Sequence, residues 1–537
     1  MIRESVGALT KLEFLSLRDC TNLVGIPDTF YKMTSLITLD LCGCSEFTKL
    51  PLREISPSPL QSLIYLDLSF CNIYEEPKVI GELRCLERLN LQGNNFTTLP
   101  STLSRLCNLS YLNLSHCHRL QSLPKLPTNR GPSNSVGRYF KTTSGSHKHR
   151  SGLYIFDSPR CMEHPSSSGG CSTECPFNSE LLYRWVMRLV QEPVLYRCGF
   201  DIVFPWHGGT KDSYKSSAFS KLFRFHHKLK GGSIVRINNF VRDVDWVGFL
   251  FVAIFESNDH NYQSLSSPPL PHPFYLSFES ENTEERFDMP LNLEQNMVDG
   301  KHYIWMIFIS REHCHFVETG AQITFKACEG LIIKEWGLRV LNKEDTWGYR
   351  MGMSVDLPLQ NVKVKRSRSS SRFEPKIQLP YNWLVSDKDE AEKDAAKRKE
   401  IGLSNLGLST VYFPPPPPWF SISPEHLPYL KRMDLSNSKN LKVTPYFEGK
   451  QNLEWLDLTG CINLFVVHPL LTELVFMSLQ NCASLVNLDF SDPPRLRSLR
   501  VLRLSDCIKL ENTLDFSGTL ILQYLDMESM CKFTHNS

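Results

Sequence analysis

The stretch Leu12-Glu13-Phe14-Leu15-Ser16-Leu17-Arg18-Asp19-Cys20 spaces its leucines by three and then two residues and closes on a cysteine. The pattern L-x-x-L-x-L-x-x-C returns at Leu36, Leu39, Leu41, Cys44 and at Leu63, Leu66, Leu68, Cys71. It continues at Leu86, Leu89, Leu91, Asn94 and at Leu109, Leu112, Leu114, Cys117. The first leucines are 24, 27, 23 and 23 residues apart. Most units close on an apolar residue and proline: Ile26-Pro27, Leu50-Pro51, Leu99-Pro100, Leu123-Pro124.

A period of roughly 20–29 residues with this spacing is the signature of leucine-rich repeats. Each L-x-L forms a short strand whose leucines point inward and whose intervening residues face out onto a concave surface. One repeat cannot bury its leucines alone, so neighbours stack into a continuous core. The Cys/Asn position turns inward after the strand. There Asn bonds loop backbone, and Cys acts as a small buried hydrophobe. A second set begins at Leu430, Met433, Leu435, Ser438 and runs through Leu453, Leu456, Leu458, Cys461 and Leu474, Met477, Leu479, Cys482. It ends with Leu499, Leu502, Leu504, Cys507 and Leu522, Leu525, Met527, Met530. Met1 falls inside the convex segment of a repeat whose own strand is missing. The chain therefore reads as a fragment or truncated product, and Ser5–Asp28 reads like a continuation of what ends near Phe533. A tandem duplication or a fused gene model accounts for that order, and an uninterrupted transcript across codons 346–425 would favour one real chain.

Between the sets, residues 126–178 are rich in Ser, Gly, Pro and basic residues and read as a linker with one short ordered piece, Gly152–Phe156. Ser179 caps a short helix with Leu182, Trp185, Val186 and Leu189 on one face. Strands are then expected at Gly199–Pro205, Gly232–Ile237, Val247–Phe255, Phe274–Phe278, Tyr303–Ile309, Gln322–Ala327 and Ile332–Leu341. The wholly apolar Val247–Phe255 should be central. Several strands with intervening turns imply an all-β sandwich or jelly roll. Residues 346–425 read as a second linker, with a Ser/Lys/Arg patch from Lys363 to Arg372 and polyproline at Pro414–Pro418. The expected organisation is thus a repeat array over 1–125, a linker with a short helix over 126–190, a β-sandwich over 191–345, a disordered linker over 346–425 and a second array over 426–537. The fold class is an α/β leucine-rich repeat solenoid in two arrays flanking the sandwich.

With 59 Lys plus Arg against 57 Asp plus Glu, the net charge of +2 is not that of a polyanion binder. The longest apolar run, Trp246–Phe255, is half of what a bilayer span needs. The N-terminus lacks the apolar region of a secretory signal, and 17 Cys without such a signal indicate reduced thiols in the cytoplasm or nucleus. No G-x-x-x-x-G-K-[ST], G-x-S-x-G or H-E-x-x-H motif occurs. His313 and His315, and Cys161, Cys171, Cys175 with His164, match no usual metal pattern. No cofactor, metal, catalytic residue or small-molecule substrate is expected, and neither membrane nor nucleic acid is an expected partner. The candidate partner-binding residues are the outward aromatics and arginines Phe14, Arg18, Tyr65, Arg88, Tyr111, Trp455, Phe476 and Tyr524, since aromatics beside polar groups suit a protein interface. The alternating Asp of L-D-L (Asp40, Asp67, Asp434, Asp457) is read as a repeat consensus exposed to solvent.

The middle region resembles the post-repeat domain of plant intracellular immune receptors of the TIR–nucleotide-binding–leucine-rich-repeat family, the C-terminal jelly-roll/Ig-like domain. The residues that carry this are Phe200, Ile202, Val203 and Pro205, then Gly232-Ser233-Ile234-Val235-Arg236-Ile237. Trp246-Val247-Gly248-Phe249-Leu250 running into Ala253-Ile254-Phe255, and Glu335-Trp336-Gly337-Leu338-Arg339-Val340, complete the set. The repeats, with L-x-L-x-x-C and a terminal I/L-P, are of the same type. The family's usual I-P-x-W-F entry is altered, with Phe223-Arg224-Phe225 where W-F is expected. The resemblance implies a non-enzymatic recognition portion of a defence receptor, binding a pathogen effector or a guarded host protein. The alternatives are a truncated decoy or a general protein-interaction scaffold.

Overall fold

A computed structural model describes residues 4–47, 60–123, 126–127, 151–155 and 158, the strands between Phe200 and Asn342 with Arg311, residues 410–412, and residues 431–444, 453–467, 473–488, 496–510, 516 and 518–530. The first five repeats each contribute one three-residue strand: β1 (Phe14–Ser16), β2 (Thr38–Asp40), β3 (Tyr65–Asp67), β4 (Arg88–Asn90) and β5 (Tyr111–Asn113). They pair in parallel with every leucine in register, Leu15 with Leu39, Leu66, Leu89 and Leu112 in turn. β6 (Ser151–Tyr154) adds to β5, and β7 (Phe200–Trp206) adds to β6.

From β7 the sheet turns antiparallel. The intervening strands are β8 (His227–Lys230), β9 (Ile234–Arg236), β10 (Trp246–Ser257), β11 (His272–Glu279), β12 (Arg286–Leu293), β13 (His302–Ser310), β14 (Gln322–Lys326) and β15 (Leu331–Asn342). β7 pairs with β13, β13 with β10, β10 with β15, and β15 with β8. The apolar β10 is therefore internal, flanked on both edges, and Phe249, Phe251 and Phe255 are fully buried. A separate four-stranded sheet runs β12-β11-β14-β9. All seven strands expected here are present; β8 and β12 were not anticipated, because His227–Lys230 and Arg286–Leu293 lack an apolar run.

β16 (Thr410–Tyr412), a strand inside the stretch expected to be a disordered linker, pairs with the first of the last five repeats, which form β17 (Arg432–Asp434), β18 (Trp455–Asp457), β19 (Phe476–Ser478), β20 (Val501–Arg503) and β21 (Tyr524–Asp526), again parallel and in register. The expectation of two separate arrays needs correcting. β21 pairs in parallel with β1, Leu525 opposite Leu15, so the C-terminal set stacks ahead of the N-terminal one in a single ladder. β21 supplies the strand missing before Glu4–Ala8, and Phe516 N donates to Ser5 Oγ across the junction. The physical reason is that stacking β21 on β1 covers leucines that an open solenoid end would expose, and Leu15 and Leu525 are fully buried.

The same core runs through all ten rungs. Leu15, Leu39, Leu66, Leu89, Leu112, Met433, Leu456, Met477, Leu502 and Leu525 are each at most 1 % exposed. After every strand the residue before the Cys position adopts a left-handed backbone: Asp19, Gly43, Phe70, Gly93, His116, Asn437, Gly460, Asn481, Asp506 and Ser529. Glycine, Asn, Asp and His suit that conformation; Phe70 and Ser529 are the exceptions. The cysteine that follows donates its S–H to a carbonyl of the preceding rung. Cys44 Sγ bonds Leu17 O at 3.1 Å, Cys71 Leu41 O at 3.0 Å, Cys117 Leu91 O at 3.3 Å, Cys461 Leu435 O at 3.2 Å, Cys482 Leu458 O at 3.2 Å and Cys507 Leu479 O at 3.1 Å. Cys20 does so across the junction, to Met527 O at 3.2 Å. None of these thiols is in a disulfide, and burial raises them: Cys44, Cys117 and Cys507 to about 12, Cys461 to about 11. They are inert core groups.

The convex side corrects the α/β expectation. Among the described residues it holds 3₁₀ turns at Glu4–Ala8, Asp28–Lys32, Lys78–Glu82 and Ser101–Arg105 and no α-helix. Pro27, Pro77 and Pro100 each start such a turn, and five residues before the next strand leave no length for α-helical propagation. The helix expected over 179–190, the Lys363–Arg372 patch, the polyproline, His313, His315 and the Cys161–Cys175 group lie outside the described residues. The ordered piece inside the first linker is strand β6.

Candidate functional site

Seven of the eight candidate residues fall in one column, the first residue of each strand. In spatial order the column reads Arg432, Trp455, Phe476, Val501, Tyr524, Phe14, Thr38, Tyr65, Arg88, Tyr111. At about 4.8 Å per rung this is a file of side chains roughly 40 Å long. Two halves that seemed independent in sequence become continuous where Phe14 stacks on Tyr524, ring centroids 4.2 Å apart and 2° from parallel.

The aromatics are not free in solvent. Trp455 and Phe476 stack at 4.9 Å and 12°. Arg432 lies over Trp455 at 3.6 Å, and Arg503 stands 5.7 Å from the Phe476 ring and 5.6 Å from that of Tyr524. Trp455 is 9 % and Phe476 3 % exposed, so the expectation that these two are exposed is corrected: side chains two outward positions apart fill the concave surface between them. Phe14, Tyr65, Arg88, Tyr111 and Tyr524 are half-buried. Arg88 caps the Tyr111 ring at 4.1 Å.

Arg18, the eighth candidate, belongs to a different column. Its guanidinium donates through Nε and Nη2 to Asp40 Oδ2 at 3.2 and 2.9 Å. Burial, with the charge of Asp67, pushes Asp40 up to about 6 against the pull of Arg18. Tyr65 Oη and Asn90 Nδ2 both donate to Asp67 Oδ2 at 3.0 Å, and burial holds the Tyr65 phenol protonated.

The L-D-L carboxylates are more than solvated surface groups. Asp40, Asp67, Asp434, Asp457 and Asp526 accept a hydrogen bond from the backbone N–H two residues on, at 2.9–3.2 Å, and Asn90 and Asn113 do the same. Each closes its strand with an Asx turn. The spacing Asp-x-x before the left-handed residue is the signal by which this role was legible. Among the described residues no group of three or more His, Cys, Asp or Glu is placed to hold a metal ion. No described helix is long and apolar enough to cross a membrane.

The sequence model of the Leucine Rich Repeat family matches residues 85–106. TMV resistance protein N of Nicotiana glutinosa is 35% identical over 126 residues, 23% of this chain and 11% of that protein. Disease resistance-like protein DSC1 of Arabidopsis thaliana is 35% identical over 122 residues, 22% of this chain and 10% of that protein. Disease resistance protein RPP2A of the same plant is 32% identical over 116 residues, 22% and 8%. Among solved structures, an LRR protein of Leptospira interrogans aligns at 26% identity over 22% of this chain and 34% of that one, with a TM-score of 0.18. The matches thus span about a tenth of the length of these curated relatives. Residues 85–106 thus match a leucine-rich repeat, and over somewhat more than a fifth of its length the chain is similar to plant disease resistance proteins.

Proposed function

We propose that the chain is the recognition portion of a plant immune receptor of the TIR–nucleotide-binding–leucine-rich-repeat type, non-enzymatic and acting in the cytoplasm or nucleus. In this reading residues 191–345 form the jelly-roll/Ig-like domain that follows the repeats, and residues 126–190 and 346–425 are connectors. The partner is a pathogen effector or a guarded host protein. The observation that carries it is the single concave column of aromatics and arginines, the residue types that dominate protein interfaces, in a chain similar to disease resistance proteins over somewhat more than a fifth of its length.

The test is binding of a panel of effector proteins to the full chain by calorimetry. Tyr65→Ala and Tyr111→Ala should each weaken a bound effector by more than about 1 kcal/mol, while Lys32→Ala on the convex side leaves affinity unchanged. Loss of binding from changes on the 191–345 loops alone, with the concave pair silent, would place recognition in that domain. A truncated decoy has the same surface; an upstream signalling domain in the gene product distinguishes the two.

A further inference from the structure

The flank that follows the strands differs between the two repeat sets, and the difference is chemical. In the first set the residue after the Cys/Asn position is Thr21, Ser45, Asn72, Asn95 and His118. In the C-terminal set it is Lys439, Ile462, Ala483, Ile508 and Cys531; three residues further on the C-terminal set has Lys442, Phe465, Val486 and Glu511 where the first set has Val24, Thr48, Glu75, Thr98 and Gln121. Ile462, Phe465, Val466, Val486 and Ile508 are 36–45 % exposed. The rungs that carry them are adjacent. Phe465 N donates to Lys442 O at 3.0 Å, and Thr444 N to Val466 O at 3.1 Å, which sets the Lys442 rung directly against the apolar one. The result is an apolar stripe running along one side of the solenoid, away from the concave column.

Burying such residues is favourable, and nothing in the repeat pattern requires them: the inward leucines already fill the core, and at the same positions the first set carries one exposed apolar residue, Val24, among polar ones. Contiguous exposed apolar surface of this kind marks a contact site. The charges on the same flank name the partner's. Between Ser438 and Thr444, Cys461 and Val467, Cys482 and Leu488, and Cys507 and Thr513 there are three lysines, Lys439, Lys442 and Lys509, and one acidic residue, Glu511. All three lysines are exposed; Asp506 stands one residue ahead of this flank, in its left-handed turn. We infer that the flank of the C-terminal repeats is a second protein-docking surface, which takes an amphipathic segment of a partner protein with apolar residues facing the stripe and acidic residues at its margins. A bilayer fits less well: membrane-seated surfaces sink an apolar face about 5–10 Å into the lipid, whereas these side chains are more than half covered by their own rungs. This surface is separate from the concave face, so it stands whether or not that face binds an effector.

The experiment pans a phage-displayed library of random 16-residue peptides against the full chain. Recovered peptides should be enriched in Asp and Glu among large apolar residues. They should bind Ile462→Ser/Phe465→Ser at least tenfold more weakly and Lys442→Glu several-fold more weakly, with affinity falling as salt rises. Both side chains are outside the inward core and more than a third exposed, so the chain should stay folded with a modest fall in melting temperature; Val486→Ser, on the next rung, serves if the double variant misfolds. Three outcomes overturn the inference. One is the absence of any recovered peptide that is sensitive to these variants, or a basic or uncharged consensus. Another is a self-associated chain by light scattering that the double variant returns to monomer, which makes the stripe a contact between copies. The third is sedimentation with phosphatidylcholine vesicles carrying 30 % phosphatidylserine that the double variant abolishes, which makes it a lipid surface.

Discussion

The first five rungs and the last five share an inward pattern so closely that they merge into one ladder, yet they present different surfaces. The N-terminal set places Phe14, Thr38, Tyr65, Arg88 and Tyr111 along the concave column; Tyr65 is tied to Asp67 and Arg88 lies over Tyr111. The C-terminal set packs Trp455, Phe476 and Val501 into a nearly closed cluster. Its flank carries four exposed apolar residues, Ile462, Phe465, Val486 and Ile508, at positions where that of the N-terminal set carries one, Val24. The lesson is that the core fixes only the alternate residues that point inward; the others are free to diverge, and they carry whatever binding the molecule does.

The sharpest way to break the comparison is to ask whether the junction between the sets is as well packed as a step between consecutive rungs. Leu89 and Leu525 are both fully buried, the one between rungs joined by short loops, the other against Leu15 from the far end of the chain. Leu89→Ala and Leu525→Ala should each cost about 2–5 kcal/mol in lost burial and cavity, read from denaturant unfolding followed at the repeats. A silent Leu525→Ala beside a costly Leu89→Ala would show that the C-terminal set does not dock on β1.

A smaller effect separates two ways of filling the inward turn. Asn94 is 1 % exposed; its Nδ2 donates to Leu68 O at 2.8 Å and Leu91 O at 2.9 Å, and its Oδ1 accepts from Ile73 N at 2.9 Å. A cysteine at the same place makes one weak S–H bond to the preceding rung. Asn94→Ala leaves buried backbone groups unsatisfied and should cost about 1–3 kcal/mol, whereas Cys71→Ala should cost about 1 kcal/mol. Equal losses would mean that the cysteine rungs rely on the hydrogen bond as much as the asparagine rung does.

Most of the ladder was legible in the sequence because leucine spacing and strand geometry have the same period. Leu15, Leu66 and Leu89 could be placed inward, and Phe14, Tyr65 and Tyr111 outward, from alternation alone. The pairing of β21 with β1 was not legible as a contact. Its only trace was an incomplete repeat at each end, since a parallel pairing between residues some five hundred positions apart leaves no local pattern. Convex geometry was missed because proline followed by a short polar stretch is compatible with either helix type. At the site, the column was legible but its stacking was not: that Arg432 roofs Trp455, or that Phe14 meets Tyr524, depends on which rungs are neighbours.

The finest probe of the junction is electrostatic. Glu528 follows β21, and burial pushes its carboxyl up to about 7, with Asp526, Asp19 and Asp40 adding to the shift and Arg18 opposing it. Of these four, only Asp526 lies on the C-terminal side; Arg18, Asp19 and Asp40 reach Glu528 only because β21 sits on β1. A carboxyl whose folded-state value exceeds the ordinary 4.5 holds a proton that the unfolded chain has already released. Its contribution is therefore most favourable at acid pH and is lost as pH rises from about 4.5 through about 7. Asp40, pushed up to about 6 chiefly by burial, acts in the same direction. Melting temperature measured at pH 5 and pH 7.5 should fall more in the native chain than in Glu528→Gln, which has no proton to lose. Because Glu528 is half-exposed and screened by solvent, this difference should be the smallest of the three effects. If the two chains lose the same amount between those pH values, Glu528 is not held among Arg18, Asp19 and Asp40, and the two repeat sets are apart in solution.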